Sequence, residues 1–206
     1  MSAGHYFAER PAAPSRRGLV SLVLPDVTLA LVTDRGVFAA DRIDPGTHLL
    51  LQEVPSPPSV GDLLDLGCGY GPVALTMARR APTATVWAVD VNERALALCV
   101  ENAAANGITN VRAVGPDEVP DSVRFAAIWS NPPIRIGKNA LHGVLLRWLR
   151  RLDETAAAQL VVQKHLGADS LAQWLAASGF PTRRRASRQG YRVLEVSAGL
   201  AAGGDA

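Results

Sequence analysis

Cysteine is scarce in this chain: Cys68 and Cys99 are the two among 206 residues. They have neither the number for a disulfide framework nor the spacing of a zinc site, which points to a reduced, cytoplasmic setting and chemistry without a metal. Aromatics make up 5% of the residues, so Ala, Leu and Val must do the packing, as suits helices laid on a parallel sheet. No apolar run approaches the roughly 20 residues that cross a bilayer, and the amino terminus lacks the apolar core of a secretory signal. No membrane partner is expected, and no internal repeat is visible. With 48% apolar content, the length suits one core and one domain.

Neither sign of charge dominates, the formal net charge being +2. The distribution is uneven: residues 1–130 carry 10 Lys/Arg against 14 Asp/Glu, and residues 131–206 carry 11 against 5. Such asymmetry is compatible with a nucleic-acid-facing side in the second part, or with a plain solvated basic surface.

The chain is organised around Asp62-Leu63-Leu64-Asp65-Leu66-Gly67-Cys68-Gly69-Tyr70-Gly71-Pro72. It reads as a buried strand ending near a carboxylate, then a glycine turn that delivers the chain to a helix from Pro72. Glycines allow positive φ and close approach of a ligand, and the helix start adds unpaired N–H groups and a positive dipole end. The spacing Gly67-x-Gly69-x-Gly71 differs from the dinucleotide G-x-G-x-x-G, and Asp65 would repel a pyrophosphate but pair with an ammonium, directly or through water. About twenty residues on, Val86-Trp87-Ala88-Val89-Asp90 reads as a second strand whose terminal acid can accept both hydroxyls of a ribose. Ribose plus ammonium points to S-adenosylmethionine. A glycine-rich turn in an ordinary α/β protein without a cofactor is the alternative.

Residues 1–18 read as an irregular Ala/Pro/Arg arm with Arg16 and Arg17 exposed, in which His5, Tyr6 and Phe7 tuck against the core or form a substrate lip. Runs at 19–24 and 27–33, split by Pro25-Asp26, predict a small hairpin, followed by a helix over 47–54 that Pro55 to Pro58 ends. Residues 19–58 thus form an extension of a single domain, 19–198, whose core is 59–198. In the core, strands at 62–66, 85–90, 110–114, 124–129 and 158–164 alternate with helices at 72–80, 93–105, 139–151 and 168–178. A closing pair of strands at 182–188 and 191–197 completes a Rossmann-like, doubly wound α/β sheet of seven strands with the last reversed. Residues 199–206 read as a tail.

The fourth core strand runs into Ser130-Asn131-Pro132-Pro133-Ile134. Two prolines remove two N–H donors and stiffen the corner, leaving the Asn131 side-chain oxygen and the Pro132 carbonyl as an acceptor pair for one exocyclic amine. Held so, the amine lone pair is less delocalised and is aimed at an electrophilic methyl group, so positioning and electrostatics replace a strong base. A strand-terminating Asn-Pro turn is the bland alternative.

Asp65-x-Gly67-x-Gly69-x-Gly71, Asp90 and Ser130-Asn131-Pro132-Pro133 together resemble class I methyltransferases that modify planar amines. With Gly36-Val37-Phe38, Asp44-Pro45-Gly46-Thr47, Ile134-Arg135-x-Gly137-Lys138 and Gly190-Tyr191-Arg192-Val193-Leu194, the resemblance is to the small-domain family. Within it, the match is to the catalytic half of the RsmC-type guanine-N2 methyltransferases of 16S rRNA and their single-domain archaeal relatives. The resemblance implies S-adenosylmethionine as cofactor and ribosomal RNA or the small ribosomal subunit as partner. It places Asp65, Gly67, Cys68, Gly69 and Gly71 at the methionine end, Asp90 on the ribose, Val91 on adenine and Asp117 near the adenine amine. Thr47 closes the methionine pocket, and Asn131, with Pro132 and Pro133, holds the target amine beside the cofactor. On this resemblance Ile134 faces the substrate, standing where many relatives have a stacking aromatic, and Arg135 and Lys138, which follow the corner, either meet phosphates near the target base or form a solvated helix-start pair. Other acceptors (a DNA adenine, a protein glutamine, a metabolite) or a non-catalytic binding module are the competing readings.

Among the remaining candidates, Arg183, Arg184 and Arg185 with Arg188 and Arg192 read as a guarded edge strand or a nucleic-acid contact. Arg147, Arg150 and Arg151 read as structural cations at a helix end. His142 and His165 show no partner, Lys164 lies near the pocket mouth, and Trp148 and Trp174 read as core.

Overall fold

The computed structural model describes residues 14–199. His5, Tyr6 and Phe7, and nearly all of the tail, lie outside the described residues. The hairpin forms as a separate two-stranded antiparallel sheet, β1 (Gly18–Val23) with β2 (Thr28–Thr33). Helix α1 (Pro45–Glu53) begins two residues earlier than the sequence suggests. Asp44 is its N-cap, accepting from the Thr47 amide at 2.9 Å, and Pro45 fills the first turn, where a missing N–H costs nothing.

The core alternates β3 (Asp62–Leu66), α2 (Pro72–Arg80), β4 (Thr85–Val89), α3 (Glu93–Ala105), β5 (Val111–Val114) and β6 (Phe125–Ser130). It continues with α4 (Lys138–Leu149), β7 (Leu152–Gln163), α5 (Ala168–Ala177), β8 (Thr182–Arg188) and β9 (Tyr191–Ser197). The seven strands lie in the order β5-β4-β3-β6-β7-β9-β8, with β9 antiparallel to both neighbours and the other pairings parallel. Because helices cover both faces, adjacent strand residues are buried in opposite directions. Leu63 and Trp129 join the cluster under α1, α2, α3 and the hairpin, while Leu64 and Ile128 join the one under α4 and α5. β7 is longer than expected, because Leu152 already pairs with Phe125 across an irregular register.

The hairpin is tied down by side-chain amides on α3. Asn102 accepts from the Val32 amide at 2.7 Å and donates to the Val32 and Tyr70 carbonyls at 2.9 Å each, reaching the glycine loop with the same side chain. One turn further, Asn106 makes the same reciprocal pair with Ala30, at 3.3 and 2.9 Å. The two residues complete the β2 edge as a third strand would.

The arginine run is the edge strand β8, where Arg183 and Arg185 pair with Glu195 at 2.6 and 2.9 Å and Arg188 pairs with Glu53 at 3.4 Å. Trp148 is core as expected. Trp174 is not: it lies half-buried and stacks on His142 at 3.4 Å between ring centres.

Asn102 is fully buried, so Asn102→Ala leaves three backbone groups unpaired and should lower unfolding free energy by about 3 kcal/mol. Asn106→Ala, closer to solvent, should cost about 1 kcal/mol or less. Urea denaturation midpoints for the two variants check the ranking.

Candidate active site

A cavity of about 580 Å³ opens at the carboxyl ends of β3, β4, β6 and β7. Its floor is the glycine loop, where Gly67 and Gly69 sit at φ 78° and 55° and an added Cβ at Gly69 would meet open space. These two glycines serve the backbone turn and leave the floor bare. Gly71 serves packing and does not line the cavity. Its φ is 99°, and a Cβ there would lie 2.6 Å from Leu75 Cδ1 and 2.8 Å from Cys99 Sγ.

Asp65 differs from its expected role. It is 1% exposed, lies beneath the loop rather than on the wall, and accepts from the Ala74 amide at 2.8 Å. Burial pushes its carboxyl up to about 8, with the Ala74 bond opposing and the nearby Asp90 charge adding to the rise. That bond ties β3 to the start of α2.

Asp90 does reach the wall. Its two oxygens accept from the Gly69 and Asn92 amides, each at 2.9 Å, fixing the carboxylate plane while a lone pair on each remains. Burial raises its pKa, against the pull of the Asn92, Gly69 and Val91 amides. Val91 follows it on the wall, 42% exposed. Cys68 lines the loop side, but burial, with Cys99 against it, pushes its thiol far up, so it offers surface rather than a nucleophile.

Opposite stands Asn131. Its Nδ2 donates to Asp44 Oδ2 at 2.9 Å and to Thr47 Oγ1 at 3.0 Å. A carboxylate only accepts, so the atom facing Asp44 must be the amide nitrogen, and the Asn131 oxygen is turned the other way. Thr47 thus lines the cavity as a partner of Asn131. Pro133 (φ −75°, ψ 72°) centres an inverse γ-turn in which the Ile134 amide donates to the Pro132 carbonyl at 2.8 Å. That carbonyl is therefore engaged once and keeps one lone pair, where the two prolines alone suggest a free acceptor.

Ile134 and Arg135 border the cavity, whereas Lys138 starts α4 outside it. Asp117 also falls outside, and Pro116 takes its place on the wall. Glu118 closes a tight turn on Gly115, its amide donating to the Gly115 carbonyl at 3.1 Å and its carboxylate accepting from the Gly115 amide at 2.6 Å, which swings Asp117 into solvent against Arg147 at 2.8 Å. Arg147, read as structural, lies on the wall as well. Sequence reasoning missed Asp44, although Asp-Pro-Gly-Thr is an N-cap signature. It also assigned no role to Phe38, Gln163 or Tyr191, all of which line the cavity.

A sheet of this order, with a glycine loop and an acid at adjacent strand ends, defines the class I, Rossmann-like methyltransferase fold. The chain belongs to the methyltransferase small domain family, whose model matches residues 28–195. It is 34% identical over 195 residues to YbxB of Bacillus subtilis, described as uncharacterized, covering 93% of this chain and 97% of that one. It is also 34% identical to the ribosomal RNA small subunit methyltransferase C of Ectopseudomonas mendocina, over 91% of this chain and 58% of the relative. Among solved structures, the Thermus thermophilus 16S rRNA N2 G1207 methyltransferase RsmC, in complex with AdoMet and guanosine, superposes with a TM-score of 0.76. That match has 26% identity and covers 91% of this chain and 52% of that one. The chain thus spans about half the length of the RsmC proteins it matches, from 42% to 58%.

Asp65 has a folded pKa above its ordinary 3.8, so the folded state holds a proton that the unfolded chain releases. This group's contribution is most favourable below about pH 4 and is lost as pH rises towards 8. Asp65→Asn keeps an acceptor for Ala74 and should flatten the pH dependence of unfolding free energy over that window, gaining most at pH 8. Denaturation series at pH 5, 6.5 and 8 check the sign.

Proposed function

We propose that this protein is an S-adenosylmethionine-dependent methyltransferase acting on the exocyclic amine of an RNA base, guanine N2 of 16S rRNA. The observation that carries the reading is the fixed orientation of the Asn131 amide, its nitrogen held by Asp44 and Thr47 and its oxygen left for an amine. The two RsmC relatives named above support the cofactor and the rRNA substrate, and a ribosomal substrate implies a cytoplasmic location.

The cavity suits the cofactor. Its volume lies within the 300–1,000 Å³ usual for such ligands, its floor is bare backbone at Gly67 and Gly69, and Asp90 offers a lone pair on each oxygen to two ribose hydroxyls. When bound, the cofactor supplies the methyl group on a sulfonium, the C–S bond breaking toward sulfur as the N–C bond forms. The protein's part is placement. The Asn131 oxygen and the remaining Pro132 lone pair accept the two amine protons, which turns the nitrogen lone pair out of conjugation with the base. The Asp44 carboxylate polarises the Asn131 amide through their hydrogen bond and favours the positive charge that grows on the attacking nitrogen. The methylated nitrogen then releases one proton to water at the cavity mouth. Arg135 beside the corner suits a phosphate of the same strand.

Protein incubated with methyl-labelled cofactor and 16S rRNA, small subunits, DNA or bulk protein should place label in the RNA as 2-methylguanosine. Label in another fraction, or no calorimetric uptake of the cofactor, overturns the reading. Asn131→Ala should lower kcat by about a thousandfold with cofactor affinity unchanged. Asp44→Ser, which retains an N-cap, should lower kcat by about tenfold to a hundredfold at an unchanged melting temperature. Asp90→Ala should act mainly on cofactor affinity.

A further inference from the structure

We infer that Gln163 and Tyr191 read the target base, Gln163 accepting from a ring N–H beside the reactive amine and Tyr191 donating to the carbonyl beyond it. The inference rests on the reading above, that a planar amine docks at Asn131, and adds what chooses the base. Gln163 ends β7 and Tyr191 begins the antiparallel β9, so the two face each other in register at the edge of the sheet that carries Asn131. Gln163 Nε2 donates to the Tyr191 hydroxyl oxygen at 2.8 Å, and both residues line the cavity. Among the described residues, nothing donates to Gln163 Oε1 and nothing accepts the Tyr191 hydroxyl proton. One free acceptor and one free donor therefore stand side by side on the wall.

The pair is held in place. The Tyr191 ring packs on Gly46, where an added Cβ would lie 2.6 Å from ring Cε1, which fixes it beside the helix turn that carries Asp44 and Thr47. The three strands β6, β7 and β9 are neighbours in that order, about 4.8 Å apart. Amine holder, acceptor and donor thus follow one another along the rim as Asn131, Gln163, Tyr191. The guanine edge runs amine, ring N–H, carbonyl, and matches that order group for group. Adenine and cytosine place an unprotonated ring nitrogen next to the amine, so each would set a lone pair against Gln163 Oε1. A site that hydrogen-bonds one base in this way rejects the others because its polar groups would be left unpaired.

Wild type, Gln163→Leu, Gln163→Glu and Tyr191→Phe are to be compared on transcribed 16S rRNA, with methylated nucleosides quantified by mass spectrometry and cofactor binding by calorimetry. Tyr191→Phe keeps the ring on Gly46. It and Gln163→Leu should each lower kcat/KM for 2-methylguanosine formation about tenfold, with cofactor Kd and melting temperature unchanged. Gln163→Glu, which keeps an acceptor oxygen, should retain more activity than Gln163→Leu. Wild-type rates in both disabling variants, or a parallel loss of cofactor affinity, would overturn the inference while leaving the guanine reading intact. A wild type that methylates adenine or cytosine amines would overturn both.

Discussion

The site depends on one hydrogen bond between distant parts of the chain, from the Asn131 amide nitrogen to the Asp44 carboxylate. A side-chain amide has two nearly isosteric ends, and only a partner incapable of donating decides which end is which. Asp44 is such a partner, and it is itself immobilised, because the same oxygen caps α1 through the Thr47 amide. Thr47 then takes the second proton of Asn131. The extension before the core and the corner after β6 are thereby joined, and the Asn131 oxygen is held facing away from both partners.

The rest of the architecture serves to bring those parts together. A parallel sheet buried on both faces puts the ends of β3, β4, β6 and β7 on one edge, so residues far apart in sequence share a wall. Asn102 binds both the hairpin and the Tyr70 carbonyl of the glycine loop, so the extension and the cavity floor are anchored to one side chain of α3. Asn92 repeats the device nearer the site: it caps α3 and donates to the Gly36 carbonyl at 2.8 Å, drawing the Phe38 loop toward Asp90.

Much of this was legible in the sequence because it follows from periodicity and punctuation. The buried strands, their terminal acids and the glycine loop announce themselves through apolar runs ended by residues that such runs exclude, and the sheet with its reversed last strand follows the expected order. The differences have local physical causes. α1 starts at an Asp-Pro cap rather than at the first regular helical residue. Asp117 faces away because Glu118 closes its turn. Asp65 is held under the loop by the Ala74 amide. The Pro132 carbonyl is engaged by a three-residue turn. None of these is encoded in a spacing; each requires knowing which backbone amide a side chain finds. Gln163 gave no signal at all, since a polar residue ending a strand is ordinary until its neighbour across the ladder is known.

The amides on α3 have a further effect, on solubility. An unpaired strand edge invites another chain to add to it, and proteins suppress this with charge or by covering the edge. Here the outer rim of β2 is occupied by Asn102 and Asn106, and the exposed rim of β8 bristles with arginines tethered to Glu195 and Glu53. A chain so rich in small apolar residues is thereby guarded against edge-to-edge pairing at both places, and a change that frees those carbonyls would open a place for another strand to add.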